Sequence, residues 1–417
     1  MEVRAGYKQT EVGVIPEEWE TKRLGELSEF ITSGSRGWAA FYSETGALFI
    51  RSQNIRDGTL SFEDAQHVRP PSGAEGNRTK VNRNDLLITI TGNSVGNVAL
   101  VEHEYAEAYI SQHVGLVRLS KPTVGRYISR FLSPNAPGNR QISGSQSGQS
   151  KPGLNLQNLR DFWIALPPTE PEQRAIAEAL SAVDALIGAL DQLIAKKRDL
   201  KQAAMQQLLT GHHRLPGFRD AWVVRRVGHV ADVLKGAGLS KTSLSTIGSR
   251  KCVLYGELFT TYGRVIRDVV SRTETLDGRT SELGDILVPG STTTRGIDLA
   301  IASALLVEGV VLGGDINIIR RKSAQSYDPV FLANYLTHVK RHAIADRAQG
   351  ITIIHLYGRD LLELSIELPP LPEQTAIAAV LTDMDAELAA LEERRGKTRA
   401  LKHGMMQELL TGRTRLV

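Results

Sequence analysis

Residues 171–215 and 372–416 are one segment written twice, 201 positions apart, and 23 of the 45 aligned positions are identical. Pro171-Glu172-Gln173 and Ala175-Ile176-Ala177 return as Pro372-Glu373-Gln374 and Ala376-Ile377-Ala378, and Leu208-Leu209-Thr210-Gly211 returns as Leu409-Leu410-Thr411-Gly412. A duplicated segment of this length, each copy preceded by a dissimilar stretch, constrains the chain to an object with two arms. The segment reads as a helix. Ile176, Leu180, Val183, Ile187, Leu190 and Ile194 recur at alternating steps of four and three, the seam of a coiled coil, and Ile377, Leu381, Met384, Leu388 and Leu391 repeat it. Thr169-Glu170-Pro171-Glu172 has the form of a capping box, Pro372 with Glu373 supplies a first-turn proline and acid, and Gly211 and Gly412 mark the stops. From Pro171 to Leu209 such a helix extends about 58 Å. The first copy carries a second apolar stripe, Leu186, Leu193 and Leu200, where the second copy has Glu387, Arg394 and Leu401. Lys196, Arg198 and Lys201 return as Lys397, Arg399 and Lys402, which implies an outer face with a repeated purpose.

Residues 1–166 and 213–368 have another texture, with frequent glycine and proline between short runs of β-formers such as Leu86–Ile90 and Ile316–Ile319. Such runs predict two compact mixed α/β domains. Their landmarks match although their sequences do not. Trp19 with Leu24-Gly25 parallels Trp222 with Val227-Gly228; Asn84-Asp85-Leu86 parallels Gly284-Asp285-Ile286; Leu166-Pro167-Pro168 parallels Leu368-Pro369-Pro370. The fold class expected is α+β, with the two domains joined by two long coiled-coil helices. The divisions expected are domains over 1–168 and 212–370 and helices over 169–211 and 371–417.

Catalytic signatures are missing. No Asn/Asp-Pro-Pro-aromatic tetrad of an adenine methyltransferase occurs, Ser240-Lys241-Thr242 lacks the glycine of a phosphate loop, and Glu20-Thr21-Lys22 matches half of a nuclease signature with no preceding Pro-Asp to support it. His212-His213 has no ligand set at metal spacing, and no nucleophile–base arrangement follows from spacing. No catalytic residue, metal or cofactor is expected in this chain. One cysteine, Cys252, fits a reducing compartment, the amino-terminal residues lack the apolar run of a signal peptide, and the most apolar stretch, 297–319, is broken by charges and glycines. The expected location is cytoplasmic, with no membrane partner. A net charge of +4 permits nucleic-acid binding without demanding it.

The loops are rich in groups that read DNA. Ser35 and Arg36 lie between glycines beside Trp38, and Asn93 and Ser94 follow a predicted strand. Gln146, Ser147, Gln149 and Lys151 belong to a glycine-rich polar loop. Thr292, Thr293, Thr294 and Arg295 follow the matching strand of the second half, and Arg347, Gln349, Thr352 and His355 stand where the first half has its serine-rich loop. Arg51 and Lys241 complete the candidate set. Amides and hydroxyls can bond base edges while lysine and arginine hold phosphates.

These residues together carry a family resemblance. The Gly13-x-Ile15-Pro16-x-x-Trp19 opening, Leu-Pro-Pro leading into Pro-Glu-Gln in both halves, the heptad helix and the Leu-Leu-Thr-Gly close resemble the specificity subunit of a type I restriction–modification system. One departure is the extra residue in Leu166-Pro167-Pro168-Thr169-Glu170-Pro171 against Leu368-Pro369-Pro370-Leu371-Pro372. The resemblance implies two mixed α/β target recognition domains, each reading half of a split, asymmetric site in double-stranded DNA, joined by two long antiparallel coiled-coil helices as spacer, with pseudo-twofold symmetry. It also implies two methyltransferase subunits carrying S-adenosylmethionine, and restriction subunits, as partners. Two readings of other classes stand beside it: a two-domain transcriptional regulator whose helices self-associate, and a coiled-coil scaffold without salt-dependent affinity for DNA.

Overall fold

In the computed structural model of the chain, residues 4–56, 58–70, 73–145 and 153–416 are described. The two copies of the repeat form helices over Glu170–Leu208 and Leu371–Leu409, 39 residues each. The chain divides into two units, Met1–Asp191 with Glu393–Val417, and Gln192–Glu392. Each unit therefore holds the first half of one long helix and the second half of the other.

Within each unit the helix halves run antiparallel, as their ion pairs show. In the first, Asp184 meets Lys402 at 2.6 Å, while Asp191 meets Arg395 at 2.9 Å and Arg399 at 3.2 Å. In the second, Lys197 meets Glu387 at 2.6 Å, and Lys201 and Arg198 pair with Asp385 and Glu392. Ile176, Leu180, Leu190, Ile194, Ile377 and Leu381 are buried, and Val183, Ile187, Met384, Leu388 and Leu391 are half-buried. Ile176, Leu180, Ile377 and Leu381 are buried within the domain cores, whereas Leu190 and Ile194, near the middle of the first helix, are buried outside those cores. The repeated cations correct one expectation. Four of the six, Lys201, Arg198, Lys402 and Arg399, bind carboxylates at matching places across the helix pair instead of forming an outer face, while Lys196 is exposed and Lys397 pairs with Glu393 on its own helix at 2.6 Å. Leu186, Leu193 and Leu200 are about two-fifths exposed, at 41, 39 and 47%.

Each helix start is held by an arginine from the other helix's end. Thr169 Oγ1 accepts from the Glu172 backbone N–H, the N-cap bond, but the Glu172 carboxylate does not complete a capping box. It is buried and takes the Arg415 guanidinium, at 2.8 Å from Nη2. Arg415 also pairs with Glu18 and lies 5.9 Å from the Trp19 ring. The second unit repeats the clasp. Glu373, fully buried, takes both Nε and Nη2 of Arg214, which lies 5.8 Å from the Trp222 ring. Gln173 and Gln374 donate to the Pro167 and Pro369 carbonyls at 2.8 and 2.7 Å. Pro-Glu-Gln is therefore a joint between helix and domain. Gly412 and Gly211 end the helices with φ of +68° and +71°, and a Cβ on Gly412 would meet Pro16 at 2.5 Å.

Each domain has its own central sheet. In the first unit its order is Val98–Leu100, Leu86–Thr89, Val114–Leu119, Ser28–Ser33, all antiparallel. In the second it is Ala231–Lys235, Ile316–Arg321, Asp285–Pro289, Ser303–Leu305, Val265–Ile266, with only the last pair parallel. Leu86 and Ile88 face one core with Trp19 and Phe131, and Ile286 and Val288 face another with Phe331 and Tyr335. Beside each central strand an arginine closes on a buried aspartate. Arg118 grips Asp85 at 2.8 and 2.7 Å, and Arg320 grips Asp285 at 3.0 and 2.7 Å. The Asn-Asp and Gly-Asp landmarks are thus structural. A two-stranded ribbon, Glu20–Arg23 with Trp163–Leu166 and Val223–Arg226 with Ser365–Leu368, leads each domain into a long helix.

Candidate nucleic-acid interface

Strand register brings the polar loops to one end of each sheet. In the first unit Thr89 faces Val114 and Gly115 faces Ser33. Ser35 and Arg36 follow Ser33, Asn93 and Ser94 follow Thr89, and Gln112 and His113 precede Val114, so all emerge together. Ser111 N–H donates to the Ile50 carbonyl, which sets Arg51 beside them. In the second unit Pro289 faces Ile316 and Asn317 faces Lys235. Thr292–Arg295 follow Pro289, and Lys241 lies past Lys235 at the same end. The sheets leave no room for a side chain where these loops turn. A Cβ on Gly34 would overlap the Ser111 carbonyl, and one on Gly236 would overlap the Gly313 carbonyl.

The two units hold their loops by the same backbone bonds. Ile90 N–H donates to His113 O at 2.9 Å and Leu154 N–H to Ile90 O at 2.8 Å; Gly290 N–H donates to Asp315 O at 2.7 Å and Leu356 N–H to Gly290 O at 2.9 Å. Thr91 bridges Gly153, and Ser291 pairs with His355. The loop after the central strand is therefore tied to the loop before the last short helix in both halves. In the second unit this unites two candidate groups, Thr292–Arg295 and Gln349–His355, as one surface.

The side chains on that scaffold differ. In the first unit Asn93 and Arg36 are exposed, Ser94 is half-buried, and Thr91 Oγ1 bonds His113 Nδ1. Ser35 Oγ accepts from Arg78, which also holds Thr32 and the Ser33 carbonyl. Arg51 donates to the Asp64 carbonyl at 2.8 Å, which fixes its side chain against its own loop. Gln146, Ser147, Gln149 and Lys151 lie outside the described residues. In the second unit Thr293, Thr294, Gln349 and Thr352 are exposed and Arg295 is 79% exposed. Thr294 donates to Asp298 at 2.8 Å, and that bond, with Arg295 beside it, holds the Asp298 carboxyl below its ordinary value. Two candidates have their polar groups turned inward. Thr292 is buried and shares a hydroxyl bond with Thr294 at 2.9 Å, and Arg347 donates to the Ala343 carbonyl at 2.6 Å. His355 is half-buried, stacked at 6.1 Å on Tyr357, over which Arg359 lies at 5.2 Å. Lys241 is exposed at the start of a single 3-10 turn.

Residue reading missed Gln112, His113, Asp315, Tyr357 and Ile351. The first three reach the surface at the start of a strand that pairing alone brings alongside, so no local pattern marks them. Ile351 is 98% exposed between Gln349 and Thr352, where an apolar side chain can meet a thymine methyl. Among the described residues no group of three or more His, Cys, Asp or Glu could hold a metal, and no helix is long and apolar enough to cross a membrane.

A duplicated clasp, two domains whose central sheets share the same four-strand antiparallel order, and unlike polar loops at matching sheet ends define a two-part reader. Residues 16–196 and 219–399 each match the type I restriction modification DNA specificity domain, and the chain belongs to that family. Among relatives, a Methanocaldococcus jannaschii protein described as the MjaX type I restriction enzyme specificity subunit is 25% identical over 98% of this chain and 97% of its own length. The MjaVIII specificity subunit of the same organism is 24% identical over 96% of this chain and 94% of its own. Two solved structures share the fold. The specificity subunit of M. genitalium has a TM-score of 0.60 at 14% identity, covering 98% of both chains. A chain from work on complex assembly and conformational transition of the type I R-M system has 0.58 at 18% identity, covering 95% of this chain and 99% of that one.

Proposed function

We propose that this chain reads a bipartite, asymmetric site in double-stranded DNA, one half with each domain, and performs no chemistry itself. The target recognition domains are residues 1–168 and 212–370, and the spacer helices are residues 169–211 and 371–417. The observation that carries the reading is the pair of bridged polar loops, built by identical backbone bonds in both units and furnished with unlike side chains. Conserved geometry with exchanged side chains is what reading two different base sequences requires. Methyltransferase subunits, two per chain and loaded with S-adenosylmethionine, supply methylation, and restriction subunits supply cleavage. The repeated clasps, Arg415–Glu172 and Arg214–Glu373, support equivalent docking surfaces for two copies of one partner. In this reading Asn93, Ser94, Thr293, Thr294, Gln349 and Thr352 contact bases, and Arg36, Lys241 and Arg295 contact phosphates.

Exchanging residues 20–160 for those of another family member tests this. Long-read methylation sequencing of cells carrying the hybrid and its methyltransferase is expected to show one half of the motif changed and the other intact. Change in both halves contradicts independent readers, and failure of a methyltransferase to co-purify favours a regulator or scaffold.

A further inference from the structure

The second unit contains a groove of about 690 Å³ between its domain and the long helices. Arg264, Arg267, His338 and Tyr262 line it from the domain, and Lys201 and Asp385 from the helices. Lys201 and Asp385 pair with each other. Arg264 is half-buried, and among the described residues neither it, nor Arg267, nor the neighbouring Arg341 makes an ion pair or a side-chain hydrogen bond. Withdrawal from water, then Arg341, lowers the Arg264 pKa, with Asp385 opposing. His338 adds no charge near neutrality: desolvation, Arg264, Lys201 and Arg341 push it down to about 4.

A guanidinium withdrawn from water is unfavourable by itself, and the acid that acts on Arg264 through space, Asp385, is already paired with Lys201. The first unit shows the neutralised alternative. There Arg130 reaches from the domain to the helix, donates to Asp184 at 2.6 Å and lies 3.2 Å from Ser181 Oγ, with Lys402 on the same carboxylate. Asp184 and Asp385 occupy matching places in the repeat, 201 residues apart. In the second unit that acid faces Lys201, and the arginines are left over. The groove is therefore particular to one half of the chain.

Its location names the anion. Val265 pairs with Ala304, and Leu287 pairs with Ser303, so Arg264 emerges at the sheet end from which Ser291–Arg295 project. Arg341 opens the helix Arg341–Ala345, which packs on the turn Gly296–Leu299 directly after Arg295. Arg341 does not line the groove but acts on Arg264 through space, so the two cations stand together at the end of the domain that carries the reading loops. We propose that this groove holds backbone phosphates of the DNA strand flanking the second half-site, with Arg264 inside it and Arg341 beside it as the phosphate ligands. This rests on the chain being a DNA reader. It adds a sequence-independent clamp that fixes how the second domain sits on the duplex, and a guanidinium suits phosphate because it presents a planar fork of donors.

The test measures DNA affinity against salt for the full chain with its methyltransferase subunits, on duplexes with and without the recognised motif. Arg264→Gln and Arg341→Gln are each expected to weaken both duplexes about equally, and to reduce the steepness of log K against log salt by about 0.9 for each phosphate no longer neutralised. Arg264→Lys is expected to retain the wild-type slope. Thermal unfolding of Arg264→Gln is expected at or above the wild-type midpoint, since an uncompensated charge has been removed; a lower midpoint assigns Arg264 a structural role and overturns the proposal. An unchanged salt slope overturns it also, as does loss of methyltransferase co-purification at unchanged DNA affinity. Absence of salt-dependent DNA binding by the wild type would instead remove the reading on which it stands.

Discussion

Replacing Arg214 by methionine isolates the joint between domain and helix in the second unit. Glu373 is fully buried and receives Nε and Nη2 of Arg214, whose side chain is 25% exposed. Removing one partner of a buried pair leaves the other charge uncompensated and costs about 3–5 kcal/mol. Partial exposure of Arg214 places the effect near the lower end, about 3 kcal/mol. Loss of the Trp222 interaction, 5.8 Å from the guanidinium carbon to the ring, adds roughly 0.5 kcal/mol. For a unit of the size of Gln192–Glu392 each kcal/mol moves the midpoint by roughly 2–4 °C, so the transition is expected to fall by roughly 7–14 °C. Calorimetry and urea unfolding of the single variant, of Glu373→Gln and of the double variant measure this. The double variant is expected to recover much of the loss, because the buried amide needs no counter-charge. A single variant within about 0.5 kcal/mol of wild type, or a double variant no better than the single, would refute the clasp.

Two further outcomes follow from packing and charge. Leu381 is fully buried in the second unit's core, so Leu381→Ala is expected to lose about 2–5 kcal/mol by urea unfolding, while Leu200→Ala, at a 47% exposed position, stays within about 0.5 kcal/mol; equal losses would contradict the assigned seam. His338 is held at about 4 against an ordinary 6.5, so on acidification the unfolded chain takes up this proton first, and the His338 contribution to stability falls as pH drops from 6.5 towards 4. Unfolding midpoints across that range are expected to fall less steeply for His338→Gln, and identical slopes would contradict the assignment.

The helices were the most legible part because an antiparallel pair built from a duplicated segment imposes its period on the sequence. Ile176, Leu180, Ile377 and Leu381, the most constrained seam residues, are buried as their spacing requires. The purpose of the repeated charges was not legible. Arg214 and Arg415 sit in turns beyond the helix ends, and only folding brings them to Glu373 and Glu172, 159 and 243 residues away. The same holds for Lys201 and Lys402, whose acids lie on the opposite helix. Within the domains, strand residues such as Leu86 and Ile286 announce themselves by composition. The surface does not, because it is assembled from loop segments that share a sheet end. Thr292 reads like Thr293 in sequence, yet the pairing of Ser291–Thr292 with Ile354–His355 turns one inward and leaves the other exposed. Arg264 carried no signal, since an arginine beside tyrosine and glycine is unremarkable until its want of a partner is seen.

Inserting one heptad into the middle of both helices tests the proposed spacer role of the long helices. Seven residues keep the seam in register and add about 10.5 Å, close to three base pairs at about 3.4 Å each. Methylome sequencing is expected to return both half-sites unchanged with the gap between them lengthened by about three base pairs. Methylation at the original spacing would contradict a spacer role for the helices.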